Sequence, residues 1–519
     1  MITRRSLLAS TAGATALGAR LASVRAAPDP ASGPLNIAVI FDPPGLDPTV
    51  NAVDLVSTIT ENVFDTLYAY DANWQPAPLL AAGPAAIADG GRTVTIPLRQ
   101  GVPFSDGTMM SSADVVASLR RWLKLSSRGQ LVAPILDAIE APAADKVVFR
   151  LKSPYPALMG LLAFNSGTAI VMPKAKAEAA MDGPIARIED IVGTGPYRIA
   201  ERRPAQFILL DRSEHFVPSP MPPSGYAGAR TPASSQLSFI PVPNVNTRLQ
   251  GLISGQYDAG MGLSTDNYGQ IEHTPSLVPV ITKPGGWLFL VMNTKQGLTA
   301  NPLIRQAVQA ALDNEAIMLA AMGSPQFYEL GASLYPGWSP YHSDAGAALF
   351  NRKDPAEAKK LLAQANYKGE PFRILTSQQY DYIYKAALVA MQNLQAAGFK
   401  VDLVLMDWAS VMSRRFDPAI WEGFVTFHAF VPEPMLITIL SPAYPGWWDT
   451  PDKRQALQVF STATSQEVRS QAWSKLQNLL MEEAPTIQLG EYFELLAHQK
   501  TVSGVPAVPL TPFWAAHKG

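Results

Sequence analysis

Segments with the pattern of strands alternate with segments with the pattern of helices along most of this 519-residue chain. Thr93–Arg99 and Lys146–Lys152 alternate like strands, whereas apolar residues recur at helical spacing after Asn301-Pro302 and after Asp354-Pro355. This alternation is typical of α/β lobes. Because the chain is several times longer than a typical domain, we expect two or three lobes with sizeable cores.

The first residues have the layout of an export signal. Arg4-Arg5 precede a mildly apolar stretch from Leu7 to Leu21, and the small or β-branched residues Val24 and Ala26 suit a signal peptidase. This layout predicts a signal peptide over residues 1–26, cleaved after Ala26. The paired arginines and the weak hydrophobicity favour the Tat route, and a Sec signal that happens to carry two arginines is the alternative.

Charge and cysteine content exclude several function classes. Residues 1–26 carry four arginines and no acid, so cleavage would change the net charge from −2 to −6. Such a surface gives no electrostatic reason to bind nucleic acid or an anionic membrane. The chain has no cysteine, which excludes disulfides, thiol catalysis and a lipid anchor on an N-terminal cysteine. We therefore expect an exported protein that diffuses freely in the periplasm as a monomer.

Several separated motifs follow one another in a fixed order. They are Gly45–Pro48, Val63–Leu67, Gln75–Leu80, Leu98–Gly107, Ser112–Val115, Gly193–Tyr197, Gly251–Asp258, Asn293-Thr294, Arg305–Asp313, Pro355–Leu362 and Ala396–Phe399. In this order and at this spacing, the chain resembles the extracellular solute-binding proteins of family 5, the dipeptide, oligopeptide and nickel type. The resemblance spans roughly residues 35 to 490.

The resemblance implies a fold. It is an α/β, two-lobed periplasmic-binding-protein fold of type II, in the large peptide-binding form with three parts and a hinge. Crossings near Pro284–Asn293 and Ala484–Gly490 would form that hinge. The implied parts are lobe I from residues 34–60, 190–283 and 485–519, an additional domain inserted at 61–189, and lobe II at 284–484.

The resemblance also implies a function. Such a protein captures a small peptide or peptide-like solute between its lobes and delivers it to an ABC permease and its ATPase in the inner membrane. Closure of the lobes around the ligand is a known switching mode of periplasmic binding proteins. A non-peptide ligand, such as an oligosaccharide, an opine-like derivative or a metal chelate, is an alternative within the same fold. A binder that serves a receptor instead of an importer is another.

The position of the family's charged anchor departs from the pattern. In peptide-binding members, an acid in the segment that matches Ala429–Pro434 pairs with the α-amino group of the peptide, and here that position holds Phe430. Two other acids are candidates to replace it. Asp54 follows a loop where family members contact ligand, and its other interpretation is a helix N-cap. Glu433 is the second candidate, unless it caps the turn that follows it.

Most of the other residues predicted to line the ligand site are aromatic. The predicted ligand-binding residues are Asp54, Trp287, Trp408, Phe427, His428, Phe430 and Trp447. Aromatic walls bind flat or apolar bodies and cations. Arg414-Arg415 is a further candidate, for a carboxylate or phosphate, with a solvated helix face as the alternative.

No motif supports a metal, a cofactor or an enzymatic reaction. The six histidines are scattered, and no pair has the spacing of metal ligands. The chain contains neither Gly-x-Ser-x-Gly nor His-Glu-x-x-His, so an exported hydrolase is a remote alternative.

Two local expectations concern packing. Residues 217–236 are dense in Pro, Gly and Ser and are predicted to form a surface excursion. Arg305 and Asp313 are expected to pair at the surface or between the lobes.

Overall fold

The structure, a computed structural model, describes residues 34–519, so the predicted signal peptide at 1–26 lies outside the described residues. The strands are β1 (Leu35–Val39), β2 (Tyr68–Tyr70), β3 (Pro76–Pro78), β4 (Ala86–Ala88), β5 (Thr93–Pro97), β6 (Leu136–Ala143), β7 (Lys146–Leu151), β8 (Tyr197–Arg203), β9 (Phe207–Arg212), β10 (Gln236–Pro241), β11 (Ala259–Leu263), β12 (Leu277–Met292), β13 (Tyr328–Glu329), β14 (Pro371–Thr376), β15 (Lys400–Leu405), β16 (Gly423–Ala429), β17 (Thr486–Gln499), β18 (Val502–Ser503) and β19 (His517–Lys518). The helices are α1 (Asp54–Thr60), α2 (Ser112–Leu125), α3 (Gly129–Val132), α4 (Leu158–Ala163), α5 (Lys174–Ala179), α6 (Val245–Ile253), α7 (Tyr268–Glu272), α8 (Pro302–Ala311), α9 (Asn314–Met322), α10 (Pro355–Gln364), α11 (Asp381–Ala396), α12 (Trp408–Arg414), α13 (Pro451–Thr462) and α14 (Gln466–Glu483).

Several helices begin where the sequence supplies a cap. The Ser111 hydroxyl accepts a hydrogen bond from the backbone N–H of Asp114, and the Asp114 carboxylate accepts one from the backbone N–H of Ser111. This capping box satisfies two otherwise free N–H groups at the start of α2. Asn301 and Asp354 cap α8 and α10 without a reciprocal bond: their side chains accept from the backbone N–H of Leu303 and of Glu357, and each is followed by a proline in the first turn.

One large mixed sheet organises the fold, in the order β15-β14-β16-β12-β17-β11-β1-β10-β9-β8, with β13 paired to β17 off this path. Successive residues of β12 point to opposite faces of the sheet, as a strand requires. Trp287, Phe289 and Val291 pack into one hydrophobic core, whereas Leu288 and Leu290 pack into a second core on the other face. The sheet is therefore buried on both sides.

Two long strands at the centre of this sheet belong to both halves of the molecule. Leu277–Thr282 of β12 pairs with the end of β17 at Glu494–Gln499, and this end of β17 also pairs with β11. Farther along, Gly286–Val291 of β12 pairs with the start of β17 on one side and with β16 on the other. The crossings predicted at Pro284–Asn293 and Ala484–Gly490 lie in this strand pair, whereas the boundaries of the parts stay predictions.

The register of the strand pair changes between Thr282 and Gly286. At this point Gly285 lies so close to β17 that a Cβ atom there would be 2.0 Å from the carbonyl oxygen of Tyr492. Only glycine allows the two backbones to approach this closely.

A smaller sheet, in the order β4-β5-β7-β6, lies within the predicted insert at 61–189, and α2 packs against β6 and β7. Buried ion pairs between charged side chains connect the insert to the rest of the chain. Arg121 at the end of α2 pairs with Asp47, and Arg230 pairs with Glu61 at 2.7 Å and with Asp65 at 2.9 Å.

The expectation for residues 217–236 is only partly met. Val217 and Met221 are exposed, but Tyr226 and Arg230 are buried. The Arg230 guanidinium lies 4.5 Å from the ring centre of Trp514, so the second half of this segment is a core element.

The expected pairing of Arg305 with Asp313 is wrong. Arg305 donates to the backbone carbonyls of Glu483, Thr299 and Ala300. Asp313 caps α9 and pairs with Lys353 at 3.0 Å.

Candidate functional site

A cavity of about 230 Å³, partly open to solvent, lies beside the point where β12 and β17 change register. Its walls come from the start of α1, from the predicted insert, from the end of β16 and the loop after it, and from β17. Two further cavities, of about 190 and 520 Å³, adjoin it, and Trp74 lines all three. Trp74 therefore forms the partition between the central cavity and its neighbours.

Four of the predicted site residues line this central cavity together: Asp54, Phe427, His428 and Phe430. Trp287 lies directly behind them, because it is opposite His428 in the pairing of β12 with β16. Its ring centre is 5.8 Å from that of His428 and 5.6 Å from that of Phe430, and the side chain is fully buried. Trp287 therefore supports the wall of the cavity from behind.

The other two predicted tryptophans lie farther away. Trp408 stacks on Phe427 at 6.0 Å with the rings 17° apart, so it contacts the back of a lining residue. Trp447 stacks on Trp421 at 5.7 Å, and neither residue lines the cavity. The structure thus does not bring Trp447 to this site.

His428 is held as a neutral ring. Its Nδ1 faces the carbonyl oxygen of Ala429 at 2.7 Å, and its Nε2 accepts a hydrogen bond from the backbone N–H of Thr438. Burial, helped by the positive charge of Arg128, lowers the pKa of His428 to about 4. Since a carbonyl can only accept, the proton is on Nδ1, and both ring nitrogens are already used by the protein.

Phe430, which the sequence predicts to stand at the position of the family's acidic anchor, is a packed ring. Four aromatic rings surround it: Trp74 at 5.1 Å, Trp287 at 5.6 Å, and Tyr335 and Trp338 at 6.1 Å between ring centres. A carboxylate at this place would be packed among aromatic rings, which is costly unless a cation pairs with it.

Glu433 is not available to replace the anchor. Its carboxylate pairs with Arg469 at 2.7 Å and accepts a hydrogen bond from the backbone N–H of Met435. Both side chains of the ion pair are buried, and they line the neighbouring cavity of about 190 Å³. Glu433 therefore caps the following turn, as the alternative interpretation proposed.

Asp54 faces the cavity, and it is not an N-cap. Val53 occupies the cap position of α1, and Asp54 is the first helical residue. Burial raises the pKa of Asp54 to about 6. Among residues 34–519, Asp54 has no basic partner within ion-pair distance.

Glu494 is a second acid in the cavity, which the sequence analysis missed. Glu494 lines the cavity as a solvent-exposed residue. Desolvation, followed by the nearby negative charge of Asp54, raises the pKa of Glu494 to about 7. No basic side chain in the described part of the chain pairs with it. The signal in the sequence is a lone acid inside the apolar run Tyr492–Ala497.

Arg128 is the basic residue of the cavity wall, and it was also missed. Its Nη1 donates to the carbonyl oxygen of Leu436 at 2.8 Å, and its guanidinium lies 5.5 Å from the ring centre of Phe164. Its Nε is buried without a hydrogen-bond partner. Burial lowers the pKa of Arg128 to about 10, with no acid contributing to the shift.

Other kinds of site find no support in the part of the chain that the structure describes. No group of three or more His, Cys, Asp or Glu side chains is placed to hold a metal ion. In residues 34–519, no helix has the length and apolarity needed to cross a membrane. Arg415 contacts the hydroxyl of Tyr444 at 3.3 Å and does not line the cavity.

Two halves that share a crossing strand pair, with a partly open, aromatic-lined cavity at the crossing, define a two-lobed binding protein. The structure of AgaA from A. tumefaciens R10 in complex with agropinic acid has a TM-score of 0.77 and 23% identity, covering 92% of this chain and 95% of that one. The oligopeptide-binding protein AppA of Bacillus subtilis, in complex with a nonapeptide, has a TM-score of 0.75 and 18% identity, covering 95% and 100%. These likenesses confirm the predicted two-lobed α/β fold.

Residues 75–446 match the middle region of the bacterial extracellular solute-binding proteins, family 5. A probable peptide ABC transporter periplasmic-binding protein of Sinorhizobium fredii is 28% identical over 489 residues, which are 91% of each chain. The chain belongs to family 5 of the bacterial extracellular solute-binding proteins. The predicted family is thus confirmed, and the relatives are binding proteins, not enzymes.

Proposed function

We propose that the protein captures a small peptide or peptide-like organic solute in the central cavity and delivers it to the permease of an ABC importer. The observation that carries this proposal is the partly open cavity beside the crossing strands, which is lined from both halves of the molecule. The name of the S. fredii relative, which matches along almost the whole chain, supports the link to an ABC importer and to peptides.

The place of action in this proposal is the periplasm. The S. fredii relative is named as periplasmic, and residues 1–26 have the layout of a signal peptide of the Tat type. The protein would act there as a free monomer, with the inner-membrane permease and its ATPase as partners. Lobe I at 34–60, 190–283 and 485–519, the insert at 61–189 and lobe II at 284–484 are the parts that we propose to move as units.

The size of the cavity favours a small solute. Ligand pockets usually measure about 300–1,000 Å³, and the central cavity has about 230 Å³. A longer ligand would have to displace Trp74 to reach the adjoining cavity of about 520 Å³. Single amino-acid derivatives and the smallest peptides fit this limit best.

A non-peptide organic solute is the second candidate. The observation that favours it is Phe430, which replaces the acid that peptide-binding family members use as an anchor. An aromatic wall accepts the apolar face of many organic bodies.

The test is a thermal-shift screen of residues 27–519 after unfolding and refolding to remove bound solute. Its panel contains amino-acid derivatives, di- to pentapeptides, N-blocked peptides, oligosaccharides and nickel with histidine. A ligand at 100 times its Kd should add about 2.7 kcal/mol of stability. Quenching or shifting of tryptophan fluorescence should accompany it.

A cavity-filling variant locates the binding. Ala52 lines the cavity, so Ala52→Trp should remove the stabilisation. Ile87→Trp is the matched control, because Ile87 is 64% exposed on β4, away from the cavity. Equal stabilisation of the Ala52→Trp variant would show that the solute binds elsewhere.

A further inference from the structure

The central cavity contains charges of both signs that the protein leaves without partners. Asp54 and Glu494 face the cavity with no basic side chain beside them, and Arg128 faces it with no acid. Several deeply buried charges elsewhere in the described residues are paired, for example Arg121 with Asp47, Arg230 with Glu61 and Asp65, and Arg469 with Glu433. The solvent-accessible lining of the central cavity, by contrast, presents two carboxylates and one guanidinium that have no ion-pair partner among residues 34–519.

We propose that the cavity recognises a zwitterionic solute, with its ammonium group beside Asp54 and Glu494 and its carboxylate at Arg128. This inference rests on the proposed function and specifies the substrate class. Removing a charge from water is unfavourable unless it finds an opposite charge. A ligand with one positive and one negative group supplies both missing partners at once, whereas a neutral solute or a simple cation leaves a charge unmet.

The rings around the two acids suit an ammonium group. Tyr492 lines the cavity, and its ring stacks with that of Tyr382 at 5.7 Å, while Phe427 lies 6.0 Å from Tyr382 and 6.3 Å from Tyr492. Burial raises the pKa of the Tyr382 and Tyr492 hydroxyls, and the nearby negative charges of Glu494 and Asp54 contribute to the same shift. Aromatic faces attract cations, so rings and carboxylates act in the same direction.

Arg128 is prepared for a carboxylate. Leu436 occupies only its Nη1, and its buried Nε has no partner, so the guanidinium keeps donors for a second acceptor. A planar guanidinium binds a carboxylate through two parallel hydrogen bonds. The contact with the ring of Phe164 orients the group without satisfying those donors.

The three charged groups also explain how an amine binds without an acid at position 430. Asp54 and Glu494 come from the parts predicted as lobe I, and Arg128 comes from the predicted insert. From β16 and the loop after it, the cavity receives neutral aromatic side chains: Phe427, His428 and Phe430. The anchor acid is thus replaced from the opposite side of the cleft.

The experiment measures affinity for matched compounds by calorimetry. The probes are the twenty amino acids and a library of dipeptides, each in free, N-acetylated and C-amidated forms, with uncharged disaccharides of similar size. The compound that stabilises the protein most in thermal shift is carried forward. We expect it to be a free zwitterion, and its N-acetylated and amidated forms should bind at least about thirtyfold more weakly.

The variants are Asp54→Asn, Glu494→Gln and Arg128→Met, which keep approximate size. Glu491→Gln is the matched control, because Glu491 is on the same strand, and burial also raises its pKa to about 7, but it lines the adjoining cavity. Each acid variant should weaken binding of the free compound and leave binding of the N-acetylated form unchanged. Arg128→Met should weaken binding of the N-acetylated form and leave binding of the amidated form unchanged. The control variant should change the affinity of none of the three forms. Circular dichroism confirms that each variant is folded.

The outcomes separate this inference from the proposed function. The contrary result is that an N-acetylated compound or a disaccharide binds tightly, with an affinity that Asp54→Asn and Glu494→Gln do not lower. That result would contradict the proposal of a zwitterionic solute and leave the solute-binding function supported. Stabilisation by no compound of either panel would overturn both.

Discussion

At the scale of single residues, the acids of the cavity determine how the empty protein responds to pH. Asp54 and Glu494 lose hydration in the folded state, which raises the pKa of Asp54 from 3.8 to about 6 and that of Glu494 from 4.5 to about 7. Folding therefore strengthens proton binding at both carboxyls. Their contribution to stability is full below the ordinary pKa values and is lost as the pH rises through about 6 and about 7.

We predict that the double variant Asp54→Asn, Glu494→Gln is more stable than the wild type at about pH 8 in the absence of solute, because it lacks two charges without partners. The two proteins should differ little at about pH 4. Melting temperatures measured across this range, on refolded protein, check the prediction. A constant difference at all pH values would contradict it, since a packing effect does not titrate.

The resemblance to the family identified Asp54 and Phe430 because both lie in motifs that the chain itself displays. Arg128 gave no such signal. Its neighbours Phe164 and Leu436 are far along the chain, and only the fold brings them together. For Glu433 the sequence left two roles open, and the choice depends on Arg469, which lies on α14. Sequence patterns do not show which charged residues pair when they lie far apart in the chain.

At the scale of elements, helix starts were the most predictable feature. Caps such as Ser111, Asn301 and Asp354 act over three or four residues, so the signal and the structure lie in the same short stretch. Strand lengths were less predictable. The strand β17 runs from Thr486 to Gln499 because it pairs with β12, which lies far earlier in the chain.

The crossing of β12 and β17 yields a prediction at this scale. Gly285→Ala should lower the free energy of unfolding by roughly 1–3 kcal/mol, because its Cβ would overlap the carbonyl oxygen of Tyr492 and push the strands apart. Urea unfolding measures the change. Gly45→Ala is the control, since a Cβ there meets nothing within 4 Å. Equal stability of the two variants would show that the strand pair relaxes around the extra methyl group.

At the scale of the whole molecule, Arg230 joins segments that are distant in the chain. It pairs with Glu61 and Asp65 and lies over the ring of Trp514 near the C-terminus. The family resemblance predicted this discontinuous arrangement in outline. It did not predict which side chain holds the segments together, because proline- and glycine-rich composition marks a loop without showing whether the loop is buried.

Arg230→Met should therefore destabilise the protein by about 3–5 kcal/mol, since it leaves two buried carboxylates without their cation. The matched control is Arg198→Met, whose pair with Asp211 at 2.8 Å is largely exposed and should contribute about 0–1 kcal/mol. Urea unfolding of both variants tests the difference. A small effect of Arg230→Met would mean that Glu61 and Asp65 are protonated or hydrated in its absence.

The unpaired charges of the cavity have a consequence for transport itself. If the lobes closed on an empty cleft, Asp54, Glu494 and Arg128 would lose more water without gaining a partner, so closure without solute is disfavoured. A permease that responds to the closed shape would then rarely hydrolyse ATP for an unloaded protein. The same side chains that select the solute would thus prevent ATP hydrolysis in the absence of solute.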